Sequence, residues 1–368
     1  MTRIILHVGT HKTGTTGLQR SLFEQREYLK GCGISYDPWP GVLASLKYAH
    51  HGLAHRLASF DSEDQKVLAR YRVRLEKALG SREDVIISAE PFYRHVAAGL
   101  EDDPVAARIC YLNRIADYFK GLPVEVSICF RRPDRMAESV FKEQAVSTGN
   151  QLEFLPWLDK FADRFDYTAR LAEFEQHFGP AKVWCFEDAV AKGLLPAFFE
   201  AHQLKISNFE NAKADRKSIS TRATEWLLAA KRAVDDMSVS ERHVRWYYAS
   251  SSHAHPALAH VRGDAFWVDT EARDNFLRAA LVSFRHADFW SQPDDVVKHV
   301  NWTVEQQSEV ETHFENWSQK NVVLLEMRKA ARLAPYDLDD AIPHSVKWKF
   351  LPKRIRARFF GSKSNWRG

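Results

Sequence analysis

Four short apolar runs punctuate the first half of the chain, at residues 3–8, 84–88, 124–130 and 181–186. Each is rich in Val, Ile, Phe or Cys, and each gives way to a turn or a polar residue. Near-continuous apolar runs are the signature of strands buried on both faces. Helical periodicity fills the gaps, over residues 17–30, 65–79, 104–120 and 194–203. Strands alternating with helices predict an α/β fold, a three-layer parallel sheet flanked by helices. Ligands of such sheets bind beyond the carboxyl ends of the strands, so the residues that follow each run carry the functional question. Past about residue 220 the strand pattern fades. Residues 221–234, 270–284 and 304–331 read as amphipathic helices of a helical C-terminal part, with a loop at 250–256.

The first strand runs straight into HVGTHKTGTTGLQ, residues 7–19. Strand, glycine turn and helix are the setting of a phosphate loop, because a helix N-terminus offers unpaired N–H groups and a positive dipole end. A nucleotide-hydrolysing loop reads G-x-x-x-x-G-K-[ST], with lysine directly after the second glycine. Here Gly9 and Gly14 keep that separation, but Thr15 follows Gly14 and the cation is Lys12. Gly14 lets the backbone approach an anion, and Thr13, Thr15 and Thr16 bring hydroxyls. A plain tight turn would explain the glycines, but not lysine and threonines crowded into the same few residues.

The third run ends in FRRPDRMAES, residues 130–139. Pro133 and Asp134 suit a helix entry. Arg131 at the strand end and Ser139 on the helix could meet a second phosphate, through a planar guanidinium fork and a hydroxyl. The competing reading is a solvated basic turn.

Together these stretches resemble the sulfotransferase superfamily that uses 3′-phosphoadenosine 5′-phosphosulfate (PAPS), a P-loop-like fold. Lys12-Thr13-Gly14-Thr15-Thr16 is similar to the family's 5′-phosphosulfate loop. Arg131-Arg132-Pro133 through Ser139 is similar to its 3′-phosphate motif. Residues 183–204 resemble its later strand, acidic pair and helix, and residues 315–326 its last core helix. The resemblance covers residues 1–215, then about 305–327. It implies donor contacts from Lys12, Thr13, Gly14, Thr15, Thr16, Arg131 and Ser139, with no metal. One departure stands out: the motif's second arginine falls at Met136, with Arg135 beside it. Residues 225–300 match nothing in the family pattern and read as a helical insertion that shapes the acceptor site, within a domain of residues 1–330.

Sulfuryl transfer is an in-line displacement, in which charge builds on the leaving phosphate oxygen. Lys12 is the candidate to stabilise that charge, and a base must take the acceptor proton. Glu90 follows the second run in SAEPFY, where the resemblance implies an acidic residue in some carbohydrate-modifying members. Otherwise Glu90 is an ordinary acidic residue at a helix start before Pro91. The alternative base is His51, in the cluster His50, His51 and His55. Asp37, Glu187, Asp188, Arg216, Lys217 and Ser218 read as turns and solvated charges. His253 and His255 lack the further ligands of a metal site.

Composition narrows the partners. The 368 residues are 45% hydrophobic and 27% charged, as in ordinary globular proteins. Residues 345–368 hold eight basic side chains and no acidic one. Removing those eight charges from the net +4 leaves residues 1–344 at −4. A mildly acidic body lacks the basic stripe of a nucleic-acid binder. Residues 331–368 form the tail, and its basic part, 345–368, interleaves aromatics with cations, which suits peripheral contact with an anionic membrane or an acidic glycan, or else a solvated end. Four cysteines without C-x-x-C spacing, and an N-terminus without a leader pattern, predict a cytoplasmic protein. The function expected is PAPS-dependent transfer to a carbohydrate or glycolipid hydroxyl. A Mg-nucleotide kinase and a non-catalytic anion-binding or membrane-associated protein are the alternatives.

Overall fold

The computed structural model describes residues 2–38, 48–100, 102–148, 150–206, 219–234, 237–290 and 296–321. Arg216, Lys217, Ser218 and the basic tail lie outside the described residues. The chain divides into two units. The first draws on residues 2–137, 161–206 and 275–290, the second on 138–160, 219–274 and 296–321.

The first unit is the α/β fold expected from the sequence. In chain order it holds β1 (Ile4–His7), α1 (Thr15–Glu24), α2 (Arg26–Gly31), β2 (Ile34–Ser35), α3 (His51–Ser59), α4 (Ser62–Gly80) and β3 (Asp84–Ser88). Then come α5 (Pro91–Arg94), α6 (Pro104–Phe119), β4 (Val124–Phe130) and the start of α7 (Pro133–Ser147). The five-stranded sheet has the order β2-β3-β1-β4-β5, β5 being Lys182–Cys185, and every pairing is parallel. With β1 between β3 and β4, the chain leaves the middle of the sheet in both directions. That is the switch point at which a crevice opens at the carboxyl ends.

The four predicted strands match β1, β3, β4 and β5. Two-residue β2 is too short for a periodic signal. Residues 17–30, expected as one helix, divide at Gln25, whose ψ of 10° leaves the helical range. Its N–H turns back to the Ser21 and Phe23 carbonyls. The sheet is buried on both faces, because alternate side chains point opposite ways. Ile5, Ile86, Cys129 and Trp184 pack with Leu18 and Leu22 of α1. On the other face Phe130 meets Tyr167 at 4.5 Å between ring centroids.

The second unit is helical. Beyond the end of α7 it contains α8 (Phe154–Lys160). The first unit then takes α9 (Tyr167–Phe178), α10 (Phe186–Lys192) and α11 (Leu194–Ala201), before the second resumes with α12 (Thr221–Ala233) and α13 (Val239–Ser250). Two short strands, Asp264–Ala265 and Lys298–His299, pair in parallel; α14 (Thr270–Leu281), which from Asn275 onward belongs to the first unit, and α15 (Val304–Lys320) complete the order. Its core joins Trp226, Leu227, Tyr248, Val310, Phe314 and Trp317. Buried Arg245 forms a fork to both Glu311 oxygens, at 2.8 and 2.6 Å, over the Phe314 ring.

Residues 225–300, read from sequence as one insertion, contribute to both units. Within the first, Phe284 packs on Phe130 and Tyr167, and Trp290 donates to Glu187 at 2.8 Å. Among the described residues, no helix is long and apolar enough to cross a membrane.

Candidate active site

Seven residues join β1 to α1, and backbone geometry explains their composition. Lys12 and Gly14 both adopt left-handed φ, 64° and 67°. For a non-glycine residue this costs roughly 1–2 kcal/mol, and such strain concentrates at functional loops. The Leu194 side chain packs close against Gly14. A Cβ there would lie 2.4 Å from Leu194, at the start of α11. The loop is tied to the end of β4: the Thr10 hydroxyl donates to the Cys129 carbonyl at 2.7 Å, and Arg131 Nη1 to the Lys12 carbonyl at 3.0 Å. Thr13 is buried and donates to the Thr10 carbonyl at 2.6 Å. Lys12 and Thr16 are half-buried.

Arg131 is therefore part of the loop's support, not a solvated turn residue. Its guanidinium lies 5.1 Å from the centroid of the Phe186 ring, and its carbonyl accepts from Tyr167 at 2.7 Å. Arg132 pairs with Asp134 at 2.7 Å, and its N–H reaches Glu187 at 3.2 Å. Glu187, expected as a solvated charge, instead gathers Arg132 and Trp290. Met136 is in the core, with its sulfur 2.9 Å from the Tyr167 hydroxyl. Ser139 is half-buried about two turns along α7.

Glu90 shows how tertiary structure separates two readings of one residue. It occupies the N-cap position of the four-residue α5, yet its side chain makes no capping bond there. Instead the carboxylate turns to the start of α1, where Oε1 accepts the Thr15 hydroxyl proton. Oε2 lies 2.9 Å from His51 Nε2. The two alternative bases thus touch each other beside the candidate anion loop. Burial pushes the Glu90 carboxyl upward, but His51, His11 and His7 outweigh it and hold its pKa below the ordinary carboxylate value.

Beneath the loop lies a buried network that the sequence reading did not single out. His7 Nδ1 lies 2.8 Å from Ser88 Oγ, which also accepts from Gln19 at 3.1 Å. The Ser88 N–H donates to His50 Nδ1 at 3.2 Å, and the His50 N–H to the Ser88 carbonyl at 2.9 Å. Burial holds both imidazoles near 3, so both are neutral at physiological pH. Ser88 is two residues before Glu90, so this network ties the end of β1 to the strand that presents the carboxylate. The available signal was a polar residue, His7, closing an otherwise apolar run.

The rest of the histidine cluster separates from this group. His55 pairs with His95 at 2.8 Å, and burial lowers both. Asp37 pairs with Arg74 at 3.1 Å on the surface. His255 caps a short turn through Nδ1, and His253 is exposed. Among the described residues, no group of three or more His, Cys, Asp or Glu is arranged to hold a metal ion.

No protein-family model matches the chain, and comparison with curated proteins finds no match. Among solved structures, the chain is similar to a sulfotransferase from Alicyclobacillus acidocaldarius. The two are 15% identical, with a TM-score of 0.37, over 59% of this chain and 87% of that one.

Proposed function

We propose that the chain is a sulfotransferase that moves the sulfuryl group of PAPS to a hydroxyl of a carbohydrate or glycolipid acceptor. One observation carries this reading. The K-x-G-T-T loop, with its left-handed Gly14, stands at the carboxyl end of the parallel sheet beside the Glu90–His51 pair. An anion loop whose cation precedes the glycine and a proton acceptor are the two parts that transfer to a hydroxyl requires.

In this reading the first backbone N–H groups of α1, at Thr15 and Thr16, hold the 5′-phosphosulfate with Gly14 and the Thr13 segment. Lys12 meets the charge that develops on the leaving phosphate oxygen. Arg131 and Ser139 serve the 3′-phosphate. The acceptor oxygen forms a bond to sulfur, the bond from sulfur to the phosphate oxygen breaks, and 3′-phosphoadenosine 5′-phosphate departs. The acceptor proton passes to the Glu90–His51 pair. The contact between the two makes them one unit, in which either group stabilises the charge the other gains or loses. Carbohydrate as the acceptor class rests on the sequence resemblance around Glu90.

Calorimetry with 3′-phosphoadenosine 5′-phosphate, and separately with ATP and Mg²⁺, tests the reading. Binding of the first without Mg²⁺ is expected, and Lys12→Ala should abolish sulfuryl transfer from PAPS. Mg²⁺-dependent binding of ATP alone would overturn it in favour of a kinase.

A further inference from the structure

Thr15 is the first residue of α1, where the loop motif alone makes its hydroxyl a ligand of the donor. The geometry gives that hydroxyl another partner. Thr15 is buried, and its single hydroxyl proton goes to Glu90 Oε1. A Cβ added at Gly9 would lie 2.5 Å from Thr15 Cγ2, so the bare glycine leaves the room that this methyl occupies. The first turn of α1 has no acidic residue of its own. Glu90 delivers a carboxylate to that positive end from just beyond β3, a favourable placement. With Oε2 against His51 and Oε1 against Thr15, both oxygens are occupied and the plane of the carboxylate is set.

We propose that the Thr15 side chain is a positioning residue for Glu90 and not a ligand of the donor, which it meets through its backbone N–H alone. A hydroxyl has one proton and cannot give it to a phosphate oxygen and to Glu90 at once. The donor loop and the proton acceptor then share one residue. The turnover part of this inference rests on the sulfotransferase reading; the Thr15–Glu90 contact does not.

The isosteric Thr15→Val variant keeps the methyl contact with Gly9 and removes only the hydroxyl. Three measurements on the full chain separate the roles. Calorimetry with 3′-phosphoadenosine 5′-phosphate should give a Kd within about threefold of wild type, since the backbone N–H is retained. Turnover should fall on the order of tenfold at nearly unchanged KM for PAPS, because the base is misoriented. The Glu90 carboxyl, followed by carbon-13 NMR against Glu90→Gln as the assignment control, should titrate at higher pH, having lost a donor to its charged form. Thr15→Ser should restore the titration. A tenfold or greater weakening of nucleotide binding with the Glu90 titration unchanged would overturn the proposal. If wild type binds no such nucleotide, the sulfotransferase reading fails. The titration still decides the role of Thr15: a shift in Thr15→Val supports it, and no shift overturns it.

Discussion

Two helix ends in this molecule meet charge in opposite ways. At the N-terminus of α1, the carboxylate of Glu90 arrives from the turn that follows β3, held by one hydroxyl and one imidazole. At the C-terminus of α7, two cations close the helix. Buried Lys231 donates to the carbonyls of Ala145 and Thr148, each at 3.0 Å, and to that of Asn150. Buried Arg242 donates to the Val146 carbonyl at 3.1 Å and to the Met237 carbonyl at 3.0 Å. Both signs suit the helix dipole. The partners differ: Lys231 and Arg242 are bound to backbone carbonyls, which cannot titrate or leave. Glu90 is bound to side chains that can exchange partners or protons. An end built on backbone acceptors is architecture, whereas an end built on a hydroxyl and an imidazole can take part in chemistry.

That contrast can be broken by substitution. Lys231→Met should be the most damaging to stability, by roughly 3 kcal/mol in denaturant unfolding, because buried carbonyls lose a charged donor. Burial and Arg242 lower Lys231 from 10.5 to about 8. The unfolded chain therefore binds more protons between those values, and the Lys231 contribution makes wild type gain stability as pH rises through that window. Lys231→Met should lose this slope. If it unfolds like wild type, the architectural reading of this end is wrong.

Glu90→Gln is the opposite case. Turnover should drop about a hundredfold, equivalent to about 2.7 kcal/mol, while unfolding changes little. The reverse pattern, lost stability with normal turnover, would make Glu90 structural. His51→Ala sharpens the point through pH. With His51 gone, burial pushes the Glu90 carboxyl upward less opposed, so the acid limb of the rate profile should move to higher pH. A limb that stays in place would separate the two residues.

The smallest expected effect is at an ordinary cap. The Ser220 hydroxyl accepts from the Ala223 N–H at 2.9 Å and donates to the Leu258 carbonyl at 2.6 Å. Ser220→Ala should cost about 1 kcal/mol and leave nucleotide binding unchanged. A loss of binding would show that this helix end also serves the ligand.

Much of this was written locally. Strands β1, β3, β4 and β5 are apolar runs that need two covered faces, and that need is visible in one dimension. The loop is legible for the same reason: a positive φ at Gly14 and a cluster of Lys and Thr are properties of neighbouring residues. Met136 shows the limit of motif reading, since its place in the core depends on Tyr167, thirty-one positions away.

What only the tertiary structure decided are the relations between distant residues. Glu90 and His51 were alternatives in sequence and are partners in space. Thr15 was one of several hydroxyls in the motif until Glu90 gave it a direction. His7 and Ser88 meet because β1 and β3 pair in parallel, placing His7 opposite Ser88. Sequence records periodicity and backbone preference because both act over a few residues. A side chain's single proton goes to whichever acceptor the packed fold brings within reach, and only the assembled sheet determines which one that is.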